Sequence, residues 1–170
     1  VVINQAMNAT STALEQIWSW LEEVVDPEIP VVSVVDLGIV RGLSWREDQG
    51  ESKLTITITP TYSGCPATAV IKKDIETALS GRGITNIQIE TRLAPAWTTD
   101  WLSEKGKRCL REYGIAPPQC LGPDSPETPP ECPRCGSKNT RMVSQFGSMP
   151  CKAFYVCEAC CEPFDYFKCH

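Results

Sequence analysis

A chain of 170 residues with 42% apolar and 22% charged residues has the composition of an ordinary soluble protein, long enough for one domain of about 110 residues and a smaller second one. Twenty-one acidic residues against 16 basic ones leave it mildly acidic, which argues against a nucleic-acid partner because phosphate backbones are bound by clustered Lys and Arg. No apolar run approaches the roughly 18 residues of a membrane helix and no secretory pattern is visible, so no membrane partner is expected and the expected compartment is the cytoplasm.

Along the chain, residues 12–25 have the pattern of an amphipathic helix. Thr12 and Glu15 form a capping box, and Leu14, Ile17, Trp18, Leu21 and Val25 recur at helical spacing. Pro27 and Pro30 then forbid a helix and force an extended path through VVDPEIPVVSVVDLG. IVRGLSWR and KLTITITPT read as the strands of a hairpin, joined by the polar turn EDQGES. In the second strand Leu54, Ile56 and Ile58 alternate with Thr55, Thr57 and Thr59, so one face is expected to meet a core and the other a polar surface.

A helix is predicted over 66–80, with Ala69, Val70, Ile75 and Leu79 inward and Gly81 or Gly83 at its end. ITNIQIETRL reads as a third strand. TTDWLSEKGKRCLREYG reads as a last helix, capped by Thr98 or Ser103 and stopped by Gly114. The order αββαβα predicts an α+β fold over residues 1–114, a small mixed-sheet domain with helices packed on it. If the second and third strands are parallel, the 66–80 helix makes the right-handed crossover between them. Residues 115–131 hold six of the 14 prolines and read as an extended linker. Residues 132–170 read as a second, zinc-ribbon-like β unit.

Seven of the ten cysteines lie between Cys132 and Cys169. Cys132 and Cys135 form one CxxC pair, Cys157 and Cys160 another, and 21 residues separate them. Each pair can fold back so that two thiolates converge, and two such knuckles complete a tetrahedral cage of sulfur. Short strands in TRMVSQF, KAFYV and FDYF complete the pattern of a zinc ribbon, although the second knuckle lacks a glycine after its second cysteine. Structural Zn2+ is the expected occupant, with iron as the alternative; disulfides are disfavoured by the cytoplasmic reading. A closed four-sulfur site has no open coordination position, and so small a unit needs its metal to fold. Cys151 and Cys169 either pack in the small core or form an accessory thiol site. Cys161 competes with Cys160 as a ligand, but the CxxC spacing favours Cys160. Phe154, Tyr155, Phe164, Tyr166 and Phe167 supply core or a docking face.

TYSGCPATAV puts Cys65 between a glycine and a proline where a strand runs into a helix. With Pro66 at the first helical position, Cys65 is the N-cap. The free N–H groups and the positive end of the helix then lie near its sulfur, a setting that favours the thiolate. Thr59, Thr61, Tyr62 and Ser63 supply hydroxyls just before it. The one histidine is His170, so a Cys–His nucleophile pair is not expected. Acidic candidates are Asp26, Glu28 and Asp36. Residue types alone leave Cys65 as either a packed capping residue or a reactive thiol.

DPEIPVVSVVDLGIV followed by TPTYSGCPA resembles the iron–sulfur-assembly domain family found in bacterial SufT-like and eukaryotic cytosolic assembly proteins. With IWSWLEEVV, APAWTTDW, LREYGIAPP, CPRCGS, SQFGS and EPFDYFKC added, nearly the whole chain is similar to the PaaD-like family of phenylacetate-degradation accessory proteins, an assembly-type domain carrying a C-terminal zinc ribbon. The resemblance implies a surface pocket of Asp26, Glu28, Asp36 and Thr61, with Cys65 as the candidate iron or iron–sulfur contact. It implies no enzyme but a maturation factor, binding iron or a cluster transiently. The implied client is an iron–sulfur protein, the reductase component of the phenylacetyl-CoA epoxidase, which the ribbon would dock.

Two other readings stand beside this one: a thiol-dependent enzyme using Cys65, and a pure zinc-ribbon adaptor. The first is weakened by the absent histidine partner and by the lack of a glycine-rich phosphate-binding pattern. One thiolate holds iron only with further ligands. These could come from the client, from a homodimer that pairs two Cys65 thiolates, or from Cys109, Cys120 or the spare thiols of the ribbon. Cys109 and Cys120 otherwise read as a packed helix residue and a linker thiol.

Overall fold

The computed structural model describes residues 14–48, 50–120 and 128–169; the predicted cap at Thr12 lies outside them. The chain divides into two compact units between Trp97 and Thr98.

The first unit contains helix α1 (residues 14–21), strands β1 (Val40–Asp48) and β2 (Glu51–Ile58), helix α2 (Ala67–Ser80) and strand β3 (Ile87–Thr91). β1 and β2 are an antiparallel hairpin that turns at Gly50, whose φ of +86° suits glycine. β3 lies on the other side of β2 and parallel to it, giving the order β1-β2-β3. A parallel pair needs a crossover, and α2 supplies it.

α1 buries Ile17 and Leu21, but it ends four residues before the expected Val25. Val25 instead bridges Ser33, the Asp26 N–H donates to Val32 O at 2.9 Å, and the Val34 N–H donates to Val24 O at 2.9 Å. The proline-broken segment thus folds back on itself and takes the end of the helix with it.

Leu54, Ile56 and Ile58 are fully buried, as the alternation predicts. The threonine row is not a uniformly polar surface, because Thr55 is buried too. The register places Arg46 of β1 and Glu90 of β3 diagonally on either side of Thr55, on its own face. Their ion pair spans the strand between them at 3.7 Å. α2 buries Ala67, Ile71, Ile75 and Leu79, an unbroken i, i+4 stripe, whereas Ala69 and Val70 face outward. Ile75 and Leu79 face inward as expected, but Ala67 and Ile71 complete the stripe in place of Ala69 and Val70.

The second unit begins with a 3-10 turn (Thr99–Trp101) capped by Thr98, then α3 (Glu104–Tyr113). Ser103 accepts the Gly106 N–H at 2.9 Å, and Gly114 ends α3 at φ +94°. Both predicted caps are used, on separate elements. Strands β4 (Ile115–Ala116), β5 (Thr140–Ser144), β6 (Lys152–Cys157) and β7 (Pro163–Phe167) form a sheet in the order β4-β7-β6-β5. Its core is Ala116, Cys132, Ala153, Tyr155, Cys157 and Phe164, with Tyr155 stacked on Phe164 at 5.9 Å.

This division differs from the 1–114, 115–131 and 132–170 expected above. Gly114 turns the chain from α3 directly into β4, and Ile115 and Ala116 pair in parallel with Asp165 and Tyr166. Residues 115–118, expected in the linker, are buried.

Candidate functional site

Three segments meet at one end of the first sheet. Val40, which opens β1, pairs with Ile58, which closes β2, and β3 closes at Thr91 beside that same Ile58. The loop before β1, the loop after β2 and the loop after β3 therefore emerge together, at the carboxyl end of the parallel pair. Hydrogen bonds tie them: the Thr59 N–H donates to Ile39 O at 2.8 Å, the Arg92 N–H to Ile58 O at 2.9 Å, and the Trp97 Nε1–H to Leu37 O at 2.9 Å.

Cys65 lies in the loop after β2, half-buried, with half-buried Thr61 and Tyr62 and exposed Ser63 and Pro66 around it in sequence. Gly64 at φ +84° makes the turn that a side chain would strain. The Cys65 N–H donates to Tyr62 O at 3.3 Å, and Cys65 O accepts the Thr68 N–H at 3.2 Å. Pro66, already at helical φ and ψ, is the cap residue, so Cys65 sits just before the cap rather than on it. Proline's fixed φ explains the one-residue offset.

The predicted carboxylates are built into the loop before β1. Asp26 is buried, and its Oδ1 accepts the N–H groups of Glu28 at 2.8 Å and Ile29 at 2.9 Å, which shapes the Pro27–Pro30 turn. Asp36 is buried and exchanges two bonds with Ser33: its Oδ2 accepts the hydroxyl at 2.8 Å, and its N–H donates to Ser33 Oγ at 2.9 Å. Glu28 is exposed. Ser33 and Trp97 escaped the sequence reading; a serine three residues before Asp36 was the available signal for the first. Among the described residues, Cys65 belongs to no group of three or more Cys, His, Asp or Glu side chains with converging ligand atoms.

The four cysteines of the two CxxC pairs do converge. The sulfurs of Cys132, Cys135, Cys157 and Cys160 all lie within 4.8 Å of one another. Cys132 and Cys160 are 3.7 Å apart, and Cys135 and Cys157 3.6 Å. A tetrahedral site with bonds of about 2.3 Å separates its sulfurs by about 3.8 Å, so the donor set fits a metal ion. The Cys160 N–H, then the Ala159 N–H, point at the Cys157 sulfur and lower it to about 7 against burial. The Glu162 N–H favours the Cys160 thiolate, but burial and the crowding of Cys135, Cys157 and Cys132 outweigh it and push that thiol up to about 12. Four thiolates this close can ionise together only around a cation.

The remaining cysteines settle differently. Cys151 is buried, and Cys161 is exposed and outside the sulfur cage. Cys109 is half-buried on α3. Cys169 is no accessory thiol and Cys120 no free linker thiol, because the two form a disulfide with a Cα–Cα distance of 5.8 Å. The parallel β4–β7 pairing accounts for it: four residues past Ala116 the chain runs beside three residues past Tyr166.

An α+β unit followed by a four-cysteine ribbon is the architecture of an iron–sulfur assembly domain joined to a zinc ribbon. Residues 14–90 match the family described as iron-sulfur cluster assembly protein, and residues 116–168 match the PaaD zinc beta ribbon domain. The chain is 47% identical over 159 residues, 92% of its length and 93% of the relative's, to an Escherichia coli K12 protein named for the 1,2-phenylacetyl-CoA epoxidase, as one of its subunits. The chain belongs to the PaaD family. It is also 35% identical over 92 residues, 54% of its length and 84% of the relative's, to an Fe-S protein maturation auxiliary factor of Porphyromonas gingivalis W83. Its fold is similar to the crystal structure of a DUF59 domain from Bacillus anthracis, with a TM-score of 0.54 and 29% identity over 62% of this chain and 96% of that one.

Proposed function

We propose that this protein is a cytoplasmic, non-enzymatic maturation factor in which Cys65 receives or hands on iron or an iron–sulfur unit. The observation that carries this reading is the placement of Cys65, half-buried on the Gly64 turn where three loops meet at the carboxyl end of the sheet. A single thiolate cannot hold iron alone. The missing ligands come from the client or from the Cys65 of a second copy, which makes the site one of transfer rather than storage. Asp26 and Asp36 keep the neighbouring loop in shape, and Glu28 is exposed and Thr61 half-buried. The client is the reductase component of the phenylacetyl-CoA epoxidase; the name of the Escherichia coli relative supports the epoxidase as the system served. The four-cysteine centre holds structural Zn2+, keeping the second unit folded for docking.

The test is an anaerobic reconstitution of the cluster-free reductase with ferrous iron and a sulfide donor. The wild-type chain accelerates the return of cluster absorbance, and Cys65→Ser does not, while both carry the same zinc. Equal acceleration by the two would leave a pure adaptor, and no acceleration by either would remove the maturation role.

A further inference from the structure

Cys120 and Cys169 are both exposed. Exposed disulfides are the labile ones, and in reducing compartments a disulfide is more often transient or catalytic than structural. Two further features surround this one. Cys120 lines a cavity of about 480 Å³ whose wall also carries Thr99, Asp100, Lys107, Glu131 and Lys138. Each sulfur also has a hydroxyl beside it: Thr99 Oγ1 lies 3.0 Å from Cys120 Sγ, and the Tyr166 hydroxyl 3.5 Å from Cys169 Sγ. A disulfide sulfur carries no proton, so the Tyr166 O–H is the donor to Cys169, while its oxygen accepts the Gln119 N–H at 3.4 Å.

We propose that Cys120–Cys169 is an exchange-active disulfide whose cavity receives a zwitterionic peptide thiol. The ligand's thiolate attacks Cys120 Sγ, the sulfur that lines the cavity. A bond forms between the two, the Cys120–Cys169 bond breaks, and the electron pair leaves on Cys169 Sγ. The Tyr166 O–H stabilises that thiolate, which then takes a proton from water. A second thiol attacks the ligand's sulfur in the mixed disulfide and releases Cys120. Two thiols thus deliver two electrons and two protons and depart as their own disulfide. Lys107 and Lys138 offer ammonium groups to the ligand's carboxylates, and Asp100 and Glu131 offer carboxylates to its ammonium. Lys107 is paired with Glu104 at 2.7 Å and Lys138 with Glu131 at 3.6 Å. Solvent-accessible pairs of this kind are weak enough to be exchanged for a ligand.

The experiment mixes full-length, metal-loaded, disulfide-bonded protein anaerobically with limiting glutathione, or with 2-mercaptoethanol as the uncharged thiol. After a quench at neutral pH with excess alkylating agent, each cysteine is mapped by peptide mass spectrometry. Glutathione is expected on Cys120 and not on Cys169. Lys107→Ala/Lys138→Ala should slow glutathione about fivefold relative to the uncharged thiol, the size of a partly exposed charge pair. Tyr166→Phe should slow both thiols by about three- to tenfold, the size of one hydrogen bond. Protection of the four cage cysteines from alkylation reports that each variant is folded, and the lysine variant carries the test if Tyr166→Phe loses its metal. Glutathione on Cys169, equal slowing of both thiols by the lysine substitutions, or a pair that does not react until the cage opens would each overturn the proposal.

Discussion

Both metal knuckles turn through the left-handed region immediately after their second cysteine: Gly136 at φ +74° and Cys161 at φ +62°. Among the described residues, Cys161 is the one non-glycine with positive φ. A residue with a side chain is disfavoured in that conformation by about 1–2 kcal/mol. Glycine's greater freedom in the unfolded chain offsets about 0.5–1 kcal/mol of this. Cys161 is exposed, so its removal forfeits little packing. Cys161→Gly should therefore stabilise the ribbon by about 0.5–1 kcal/mol, against the usual sign for a point substitution. Denaturant titration of metal-loaded protein measures it, with metal release to a chromogenic chelator reporting ribbon unfolding. Cys161→Ala removes the thiol but keeps the backbone strain, so its midpoint should match wild type. Gly136→Ala installs the strain in the first knuckle, where a Cβ meets no neighbour, and with the same offset should lower stability by about 0.5–1 kcal/mol. A Cys161→Gly midpoint at or below wild type would refute the reasoning.

In the first unit, Ile75→Ala should cost about 2–5 kcal/mol, because Ile75 is fully buried on the α2 stripe, whereas Val70→Ala on the outer face should stay within about 0.5 kcal/mol. Amide hydrogen exchange in β2 separates the two. In the second unit, the Lys152 side chain is only 6% exposed and pairs with Asp165 at 3.1 Å. Asp165→Asn leaves that ammonium buried and unpaired, at a cost of about 3 kcal/mol by the same metal-release titration. Lys152→Met/Asp165→Asn should recover most of the loss, and a double variant no better than the single would show that the pair is not what Asp165 contributes.

The features legible in the sequence were those set by short-range spacing. The β1–β2 hairpin, the buried Leu54–Ile56–Ile58 row and the two CxxC pairs each follow from residues a few positions apart. Errors arose where distant chain decided the outcome. The two-residue β4 carries too little pattern to stand out from a proline-rich segment, and only its pairing with β7 makes it a strand. The Cys120–Cys169 bond depends on that same pairing across 49 residues, and connectivity of this kind cannot be read from composition. Asp26 and Asp36 were recognisable as unusual acids, but their bonds to Glu28, Ile29 and Ser33 depend on how the 24–34 segment folds back. Thr55 is buried on a row that reads as polar, because Arg46 and Glu90 reach across it from neighbouring strands.

The central claim is that Cys65 does the work of maturation while the four-cysteine centre keeps the second unit folded. Its most direct test is the iron and acid-labile sulfide content, per chain, of the epoxidase reductase purified anaerobically from cells whose sole copy of this protein is Cys65→Ser. The account predicts a reductase short of both, compared with cells carrying the wild-type chain, although the variant itself is folded and holds its zinc. A fully loaded reductase from those cells would contradict it.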